Sequence, residues 1–279
     1  MRINYRTGDL EEYINWIYFF HAWSTPGDSI EAERLKADAL KMLRRLQPYL
    51  TVKAAVEVLP AYSEGDDIIV QKTFHCECGQ DHPTGEPIRL PMLRQQTPGS
   101  DGLCLCLSDF IRPKSVLKQD KIGIFATSVH IDEQQLLPDD DYNKMLIQTV
   151  LDRLAEAGAE KLHQETRTTY WGYAPDEHLT ISQLHQEKFQ GIRPAIGYPC
   201  LPDISINRII DRIIDFASIG VTLTSSAMMQ PHASVSGFMI SLPQARYFSI
   251  GKIDGTQAAD YARRRNMTVN EIKKFIQCC

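Results

Sequence analysis

The order of hydrophobic patterns along this chain limits its architecture more than any single motif does. Four runs rich in β-branched residues, Val52–Leu59, Asp67–Phe74, Leu103–Phe110 and Gly123–Val129, fall close together and are bounded by Gly, Pro and Asp. Helical periodicity lies before and after them. Leu10, Ile14, Ile17 and Phe20 recur at helical spacing behind a capping pattern of Asp9 and Glu12, until Pro26-Gly27 stops the pattern. A second helix opens at Asp28 with Glu31 and runs to about Leu46, its apolar stripe being Leu35, Ala39, Leu40, Leu43 and Leu46. Asp139-Asp140-Asp141 caps the longest helix, roughly Tyr142–Thr166, with Met145, Val150, Leu154 and Leu162 turned inward. Shorter helices are expected near Ser182–Phe189 and Ser205–Ala217. Two strands, Ser234–Ile240 and Tyr247–Ile253, are expected around a turn at Pro243, and a last helix behind Thr268 and Glu271. Glu64-Gly65-Asp66 reads as a hairpin turn, and Gln80–Gly102 as the longest loop. Helices and strands come in blocks instead of alternating. The pattern therefore predicts an α+β fold, one domain over residues 1–279, with a mainly antiparallel twisted sheet and helices packed around it.

Composition narrows the function classes. The 279 residues, 43% of them apolar, suffice for a sizeable core. No apolar run reaches membrane-spanning length, and Met1–Arg6 lacks the apolar stretch of an export signal, so the expectation is a cytoplasmic protein. A net charge of −5 with no basic stripe argues against a nucleic-acid partner. Seven cysteines without an export signal do not suggest a disulfide framework. Cys76 and Cys78, in His75-Cys76-Glu77-Cys78-Gly79-Gln80-Asp81-His82, leave one residue between them where structural zinc pairs usually leave two to four, so no metal is expected there. Cys104 and Cys106 read as small hydrophobes on one face of a strand, and Cys278-Cys279 as a reduced end.

Standard catalytic signatures are missing: no G-x-G-x-x-G, no Walker A, no G-x-S-x-G, no H-E-x-x-H. Nor is there a D-x-H-x-x-G stretch of the kind that ligates cobalamin. What remains is a dense segment, Tyr170-Trp171-Gly172-Tyr173-Ala174-Pro175-Asp176-Glu177 followed by Phe189-Gln190-Gly191-Ile192-Arg193-Pro194-Ala195-Ile196-Gly197-Tyr198-Pro199. Clustered prolines and glycines among aromatics describe a shaped loop. Small residues at Ala195 and Gly197 admit a ligand to the backbone, and Arg193 can grip a carboxylate by its fork. The plainer alternative for Arg193 is a buried Arg–Glu pair under a proline-rich turn.

These strings resemble the activation domain of cobalamin-dependent methionine synthases. The resemblance takes in Trp16–Trp23, Arg94-Gln95-Gln96, Asp140–Lys144, Tyr170–Pro175, Gly191–Pro199, Ser234–Gly237, Ala245-Arg246-Tyr247 and Asp260–Arg264, in order along nearly the whole chain. It implies a domain that binds S-adenosylmethionine during reductive repair of the cofactor. Arg193 would then hold the ligand's carboxylate, and the backbone around Ala195 and Gly197 its adenosyl part. Tyr247 would lie against the ligand with Phe248 beside it. Glu156 and Glu187 match acids near the cationic end, where a carboxylate attracts ammonium or sulfonium, and Tyr198 matches the tyrosine that faces the corrin. Asn15 stands where the family commonly has an aspartate, and Ile204 where a histidine is common. On this reading Arg193 serves the ligand and not the core.

The resemblance also implies an activation domain acting as a separate polypeptide, in trans on a cobalamin-carrying methionine synthase module, with a flavodoxin-like reductant. The chain would bind and position, and would not be catalytic alone. Two alternatives stay open: an S-adenosylmethionine-binding or interaction module without reactivation activity, and a reactivation partner of a different corrinoid methyltransferase.

Overall fold

The computed structural model describes residues 1–75, 81–116, 119–132 and 140–276. Its strands are β1 (Arg2–Tyr5), β2 (Leu50–Glu64), β3 (Asp67–Val70), β4 (Thr73–His75), β5 (Asp81–Pro83), β6 (Ile88–Pro91), β7 (Asp120–Ile131), β8 (Thr222–Leu223), β9 (Met229–Gln230) and β10 (Ser234–Met239). The helices are α1 (Trp16–Ala22), α2 (Ile30–Leu46), α3 (Asp141–Glu165), α4 (Ile181–His185), α5 (Asn207–Ile214), α6 (Gly255–Arg264) and α7 (Val269–Ile272). The main sheet runs β10-β7-β2-β3-β6, with β1 added on β2, and every pairing is antiparallel. The α+β class with a curled antiparallel sheet is thus as the sequence pattern predicts.

Both faces of this sheet are buried. Val52, Ala54 and Val56 of β2 and Phe125 and Val129 of β7 join one core with the inner sides of α1, α2 and α3. Their alternating neighbours Ala55, Leu59, Ile122, Ile124 and Ala126 join a second core with Ile209, Ile210, Ile213 and Ile214 of α5. Strict alternation of side chains divides one strand between two cores. The small residues Ala155, Ala157, Gly158 and Ala159 let α3 lie close to the sheet. A Cβ at Gly158 would meet Val52 at 3.3 Å, and the Thr127 hydroxyl donates to the Ala155 carbonyl at 2.9 Å.

Several expectations need correction. The first helix begins at Trp16, capped by Asn15. Residues 7–13 instead form two short 3₁₀ turns, and Ile17 faces outward. Met145 is exposed and not inward. Leu103–Phe110 is no strand: Asp109 accepts from the Cys106 N–H and from Arg94, which turns Leu107–Phe110 into a 3₁₀ helix. Tyr247–Ile253 makes no ladder. It is irregular chain anchored by the Ile250 N–H on the Pro199 carbonyl at 2.9 Å. The stretch read as the longest loop contains β6, an edge strand too short to show a period. Of the His75–His82 motif, Cys76–Gln80 lie outside the described residues, as do Cys278 and Cys279. Among the described residues no helix is long and apolar enough to cross a membrane.

Candidate functional site

The loop expected to carry the chemistry lies flat on the edge of the sheet. The Phe238 N–H donates to the Pro194 carbonyl at 3.0 Å and the Ile196 N–H to the Ser236 carbonyl at 2.9 Å. So close an approach needs glycine on β10. A Cβ at Gly237 would sit 2.1 Å from the Pro194 oxygen. The loop also covers a polar stripe on α3. Arg153, Glu156, Glu160 and His163 succeed one another at helical spacing, and the stripe runs on to Arg167 in a π-turn, Thr166–Tyr170, at the end of α3. Arg167 is fully buried. It holds Glu177 through two hydrogen bonds of 2.8 Å and stacks on Phe189, which fixes the chain just ahead of Arg193.

Between α1, α3, the 193–200 loop and the 247–249 segment opens a cleft of about 590 Å³. That is within the range of small-molecule sites, roughly 300–1,000 Å³. On its floor Arg193 Nη2 donates to Glu160 Oε2 at 2.8 Å, and Arg193 Nη1 lies 3.9 Å from Glu156 Oε2. The Phe125 ring is under the guanidinium. Burial opposes the charge on Arg193, but Glu160, Tyr247 and Glu156 outweigh it and keep the group protonated. Glu156 in turn accepts from the Tyr198 hydroxyl at 2.8 Å, and its charge raises that phenol's pKa. The Tyr247 oxygen accepts from the Arg193 N–H at 2.9 Å, and burial pushes its phenol up to about 12.

Glu187 differs from the other two acids. Among the described residues its side chain makes no hydrogen bond or ion pair. Its carboxyl pKa is raised, first by burial and then by the charge of Glu160. Its backbone is left-handed, at φ +55°. The reason is local. The Glu187 N–H donates to the Leu184 carbonyl at 2.9 Å and the Lys188 N–H to the Gln183 carbonyl at 3.1 Å, which is the Schellman ending of a helix. Glycine normally takes that position, and here a glutamate does.

Asn15, Glu156, Glu187, Arg193, Ala195, Tyr198, Tyr247 and Phe248 all line this one cleft. Gly197 does not. Its N–H closes a turn on the Leu201 carbonyl at 2.9 Å, and with Ile204 it lines an adjoining hollow of about 300 Å³. Two expectations change. Arg193 is already paired, so its plain reading as a buried Arg–Glu pair holds together with its place in the cleft. Asn15 uses its side-chain oxygen as the N-cap of α1, accepting from the Ile17 N–H at 3.1 Å. Sequence reasoning missed Glu160, Arg153, Tyr13 and Tyr18, which also line the cleft. The spacing of Glu160 four residues after Glu156 was the available signal, but it is indistinguishable from a solvated helix face.

Residues that could receive a zwitterionic ligand are therefore present. Arg193 Nε and Glu160 Oε1 are buried without a hydrogen-bond partner, and Glu187 offers an unpaired carboxylate. Among the described residues no cluster of three or more His, Cys, Asp or Glu is placed to hold a metal ion.

Comparison with known proteins identifies the family. A crystal structure of the MetH reactivation domain bound to AdoHcy is similar at a TM-score of 0.86 and 37% identity, covering 99% of this chain and 88% of its own. The family described as vitamin B12 dependent methionine synthase, activation domain, matches residues 7–266. With the fold and nearly the full length matched, the chain belongs to the activation-domain family of vitamin B12-dependent methionine synthases.

Proposed function

We propose that the chain binds S-adenosylmethionine in this cleft and supports the reductive methylation of cob(II)alamin carried by a separate methionine synthase or other corrinoid protein. It would thereby contribute to methionine biosynthesis. One observation carries the reading. A buried guanidinium and a carboxylate without a protein partner, Arg193 and Glu187, face the same cleft and feel each other's charge. A ligand that carries a carboxylate at one point and positive charge beside it needs both. The similar protein with AdoHcy bound supports the same ligand class, since AdoHcy lacks only the sulfonium methyl group.

In the proposed complex Arg193 receives the ligand's carboxylate, while Glu187 and Glu156 face its ammonium and sulfonium. The backbone at Ala195, with Tyr247 and Phe248, borders the adenosyl part. Tyr198, exposed at the rim, faces the docked corrin. The partner's cobalamin, reduced by one electron from a flavodoxin-like protein, would be the methyl acceptor, the S–CH3 bond breaking to leave S-adenosylhomocysteine in the cleft. The chain's own residues hold the sulfonium in place and supply no acid or base. Proximity and orientation are the whole of their contribution.

Titration calorimetry with S-adenosylmethionine tests the binding. The reactivation is tested by adding the chain to a cob(II)alamin-loaded methionine synthase module with reduced flavodoxin and following the cobalamin spectrum. No heat at millimolar ligand would sink the reading. Binding without any gain in methylation would leave an S-adenosylmethionine-binding module. The Asn15 cap favours that second reading to one extent: its oxygen is engaged by the helix, so no acidic group from α1 meets the ligand.

A further inference from the structure

Glu160 makes the direct ion pair of the cleft, with Arg193, and the two side chains are only 13% and 12% exposed. Burying such a pair seldom adds stability, because desolvation offsets the attraction and apolar side chains of like size often do better. Its form is informative. A carboxylate can take a guanidinium side-on through two parallel hydrogen bonds, as Glu177 takes Nε and Nη2 of Arg167. Glu160 instead uses one oxygen on one nitrogen. Arg193 Nε and Glu160 Oε1 are left buried and unpartnered, and Glu156 stays 3.9 Å from Nη1. The arginine is held on other sides as well: Phe125 lies under its plane, and its own N–H is fixed by Tyr247. A single hydrogen bond at Nη2 is enough to set the guanidinium's rotation and leaves donors for a second carboxylate.

We propose that Glu160 is a positioning residue, which fixes the Arg193 guanidinium in the orientation from which it receives the carboxylate of the bound amino-acid moiety. This rests on the proposed function. It differs from two plainer roles. As a piece of wall, Glu160 would affect every ligand of the cleft alike. As a stand-in for the ligand's carboxylate, it would compete, and its removal would tighten binding.

The test compares S-adenosylmethionine with decarboxylated S-adenosylmethionine, which keeps the sulfonium and the ammonium, by calorimetry on the full chain. In Glu160→Ala, S-adenosylmethionine should bind about tenfold to a hundredfold more weakly, while the decarboxylated ligand, which loses only the general attraction of one cleft carboxylate for its cations, should lose at least about fivefold less. Glu160→Gln keeps an oxygen acceptor without the charge and should fall between. It also carries the test if Glu160→Ala fails to fold, which thermal melting reports. Equal losses for both ligands, no loss, or tighter binding of S-adenosylmethionine would each overturn the role of Glu160. Wild-type protein that binds neither ligand would overturn the proposed function itself, a result distinguishable from variants that ignore the carboxylate.

Discussion

Replacing Glu187 by glycine should raise stability and lower ligand affinity at once. Glu187 is the left-handed residue that ends α4, at φ +55°. An L-residue pays roughly 1–2 kcal/mol for that conformation, and glycine nothing. Glycine's greater freedom in the unfolded chain returns part of this, about 0.5–1 kcal/mol. The net gain is then about 0.5–1 kcal/mol, or on the order of 1–4 °C in the melting temperature for a chain of this size. Binding moves the other way. Two unit charges at about 4 Å attract by roughly 4 kcal/mol at an effective dielectric of 20, much of it offset by desolvation. A loss of about 1–2 kcal/mol, some 5- to 30-fold in the dissociation constant for S-adenosylmethionine, is expected. Thermal melting and calorimetry on the same preparation read both. Glu187→Gln separates the causes: it keeps the backbone strain and loses the charge, so it should show the binding loss with only the smaller part of the melting gain that comes from removing a desolvated carboxylate. A Glu187→Gly protein that melts lower, or that binds as tightly as wild type, refutes the argument that this glutamate is kept in a glycine position for its charge.

Affinity should also depend on pH through the same residue. Its raised carboxyl pKa lies above the ordinary 4.5, so its contribution to ligand-free stability is present at low pH and is lost as pH rises through that pKa. A cationic ligand needs the ionised form. Affinity therefore falls as pH drops from neutrality through the raised pKa, binding there releases a proton, and calorimetry in buffers of different protonation enthalpy detects it; Glu187→Gln should remove the effect. Arg193→Ala should weaken S-adenosylmethionine binding roughly 30- to 1000-fold and, by stranding Glu160, also lower the melting temperature, which Arg193→Ala with Glu160→Ala should partly restore. Asn15→Asp keeps the helix cap and adds charge, so calorimetry should show binding tighter by about 0.5–1.5 kcal/mol, a gain that vanishes as pH falls through the aspartate pKa. Gly237→Ala puts a methyl 2.1 Å from the Pro194 oxygen, displacing the cleft loop. It should cost about 3 kcal/mol by melting and at least about tenfold in affinity, while Gly255→Ala, which meets open space, serves as a silent control.

The parts of the fold legible in the sequence are those whose signals are local. Ser29 and Asp140 cap α2 and α3 within a residue or two of where the pattern put the helix starts, and Gly65 turns the β2–β3 hairpin. The errors share a cause, in that tertiary partners override local pattern. Leu103–Phe110 has strand composition, but Asp109 reaches back to Cys106 and Arg94 and coils it. Tyr247–Ile253 alternates like a strand, yet its backbone is recruited by Pro199 and its tyrosine by Arg193. At the site, the residues named through the family resemblance gather around one cleft, apart from Gly197. Composition and spacing alone would have found only the loop. Glu160 and Arg153 stayed hidden because a polar stripe on a helix looks the same whether water or a loop covers it.

Several local rules fail around the cleft. Glu156 and Glu160 are like charges four residues apart on α3, an arrangement that weakens an isolated helix by about 0.2–0.5 kcal/mol. Glu187 occupies a glycine position, the end of α3 loosens into a π-turn, and Arg193 is buried with its fork half filled. The helix starts, by contrast, follow local rules: α2, α3, α4, α6 and α7 carry side-chain N-caps, two of them full capping boxes. Exceptions gathered around one hollow are local costs accepted for that hollow. The charges there balance only in part: Glu156, Glu160 and Glu187 against Arg153 and Arg193 leave one negative charge facing the cleft. S-adenosylmethionine, a zwitterion with an added sulfonium, carries one net positive charge, and its demethylated product none. The same imbalance that strains the protein alone therefore favours the methyl donor over the product left behind.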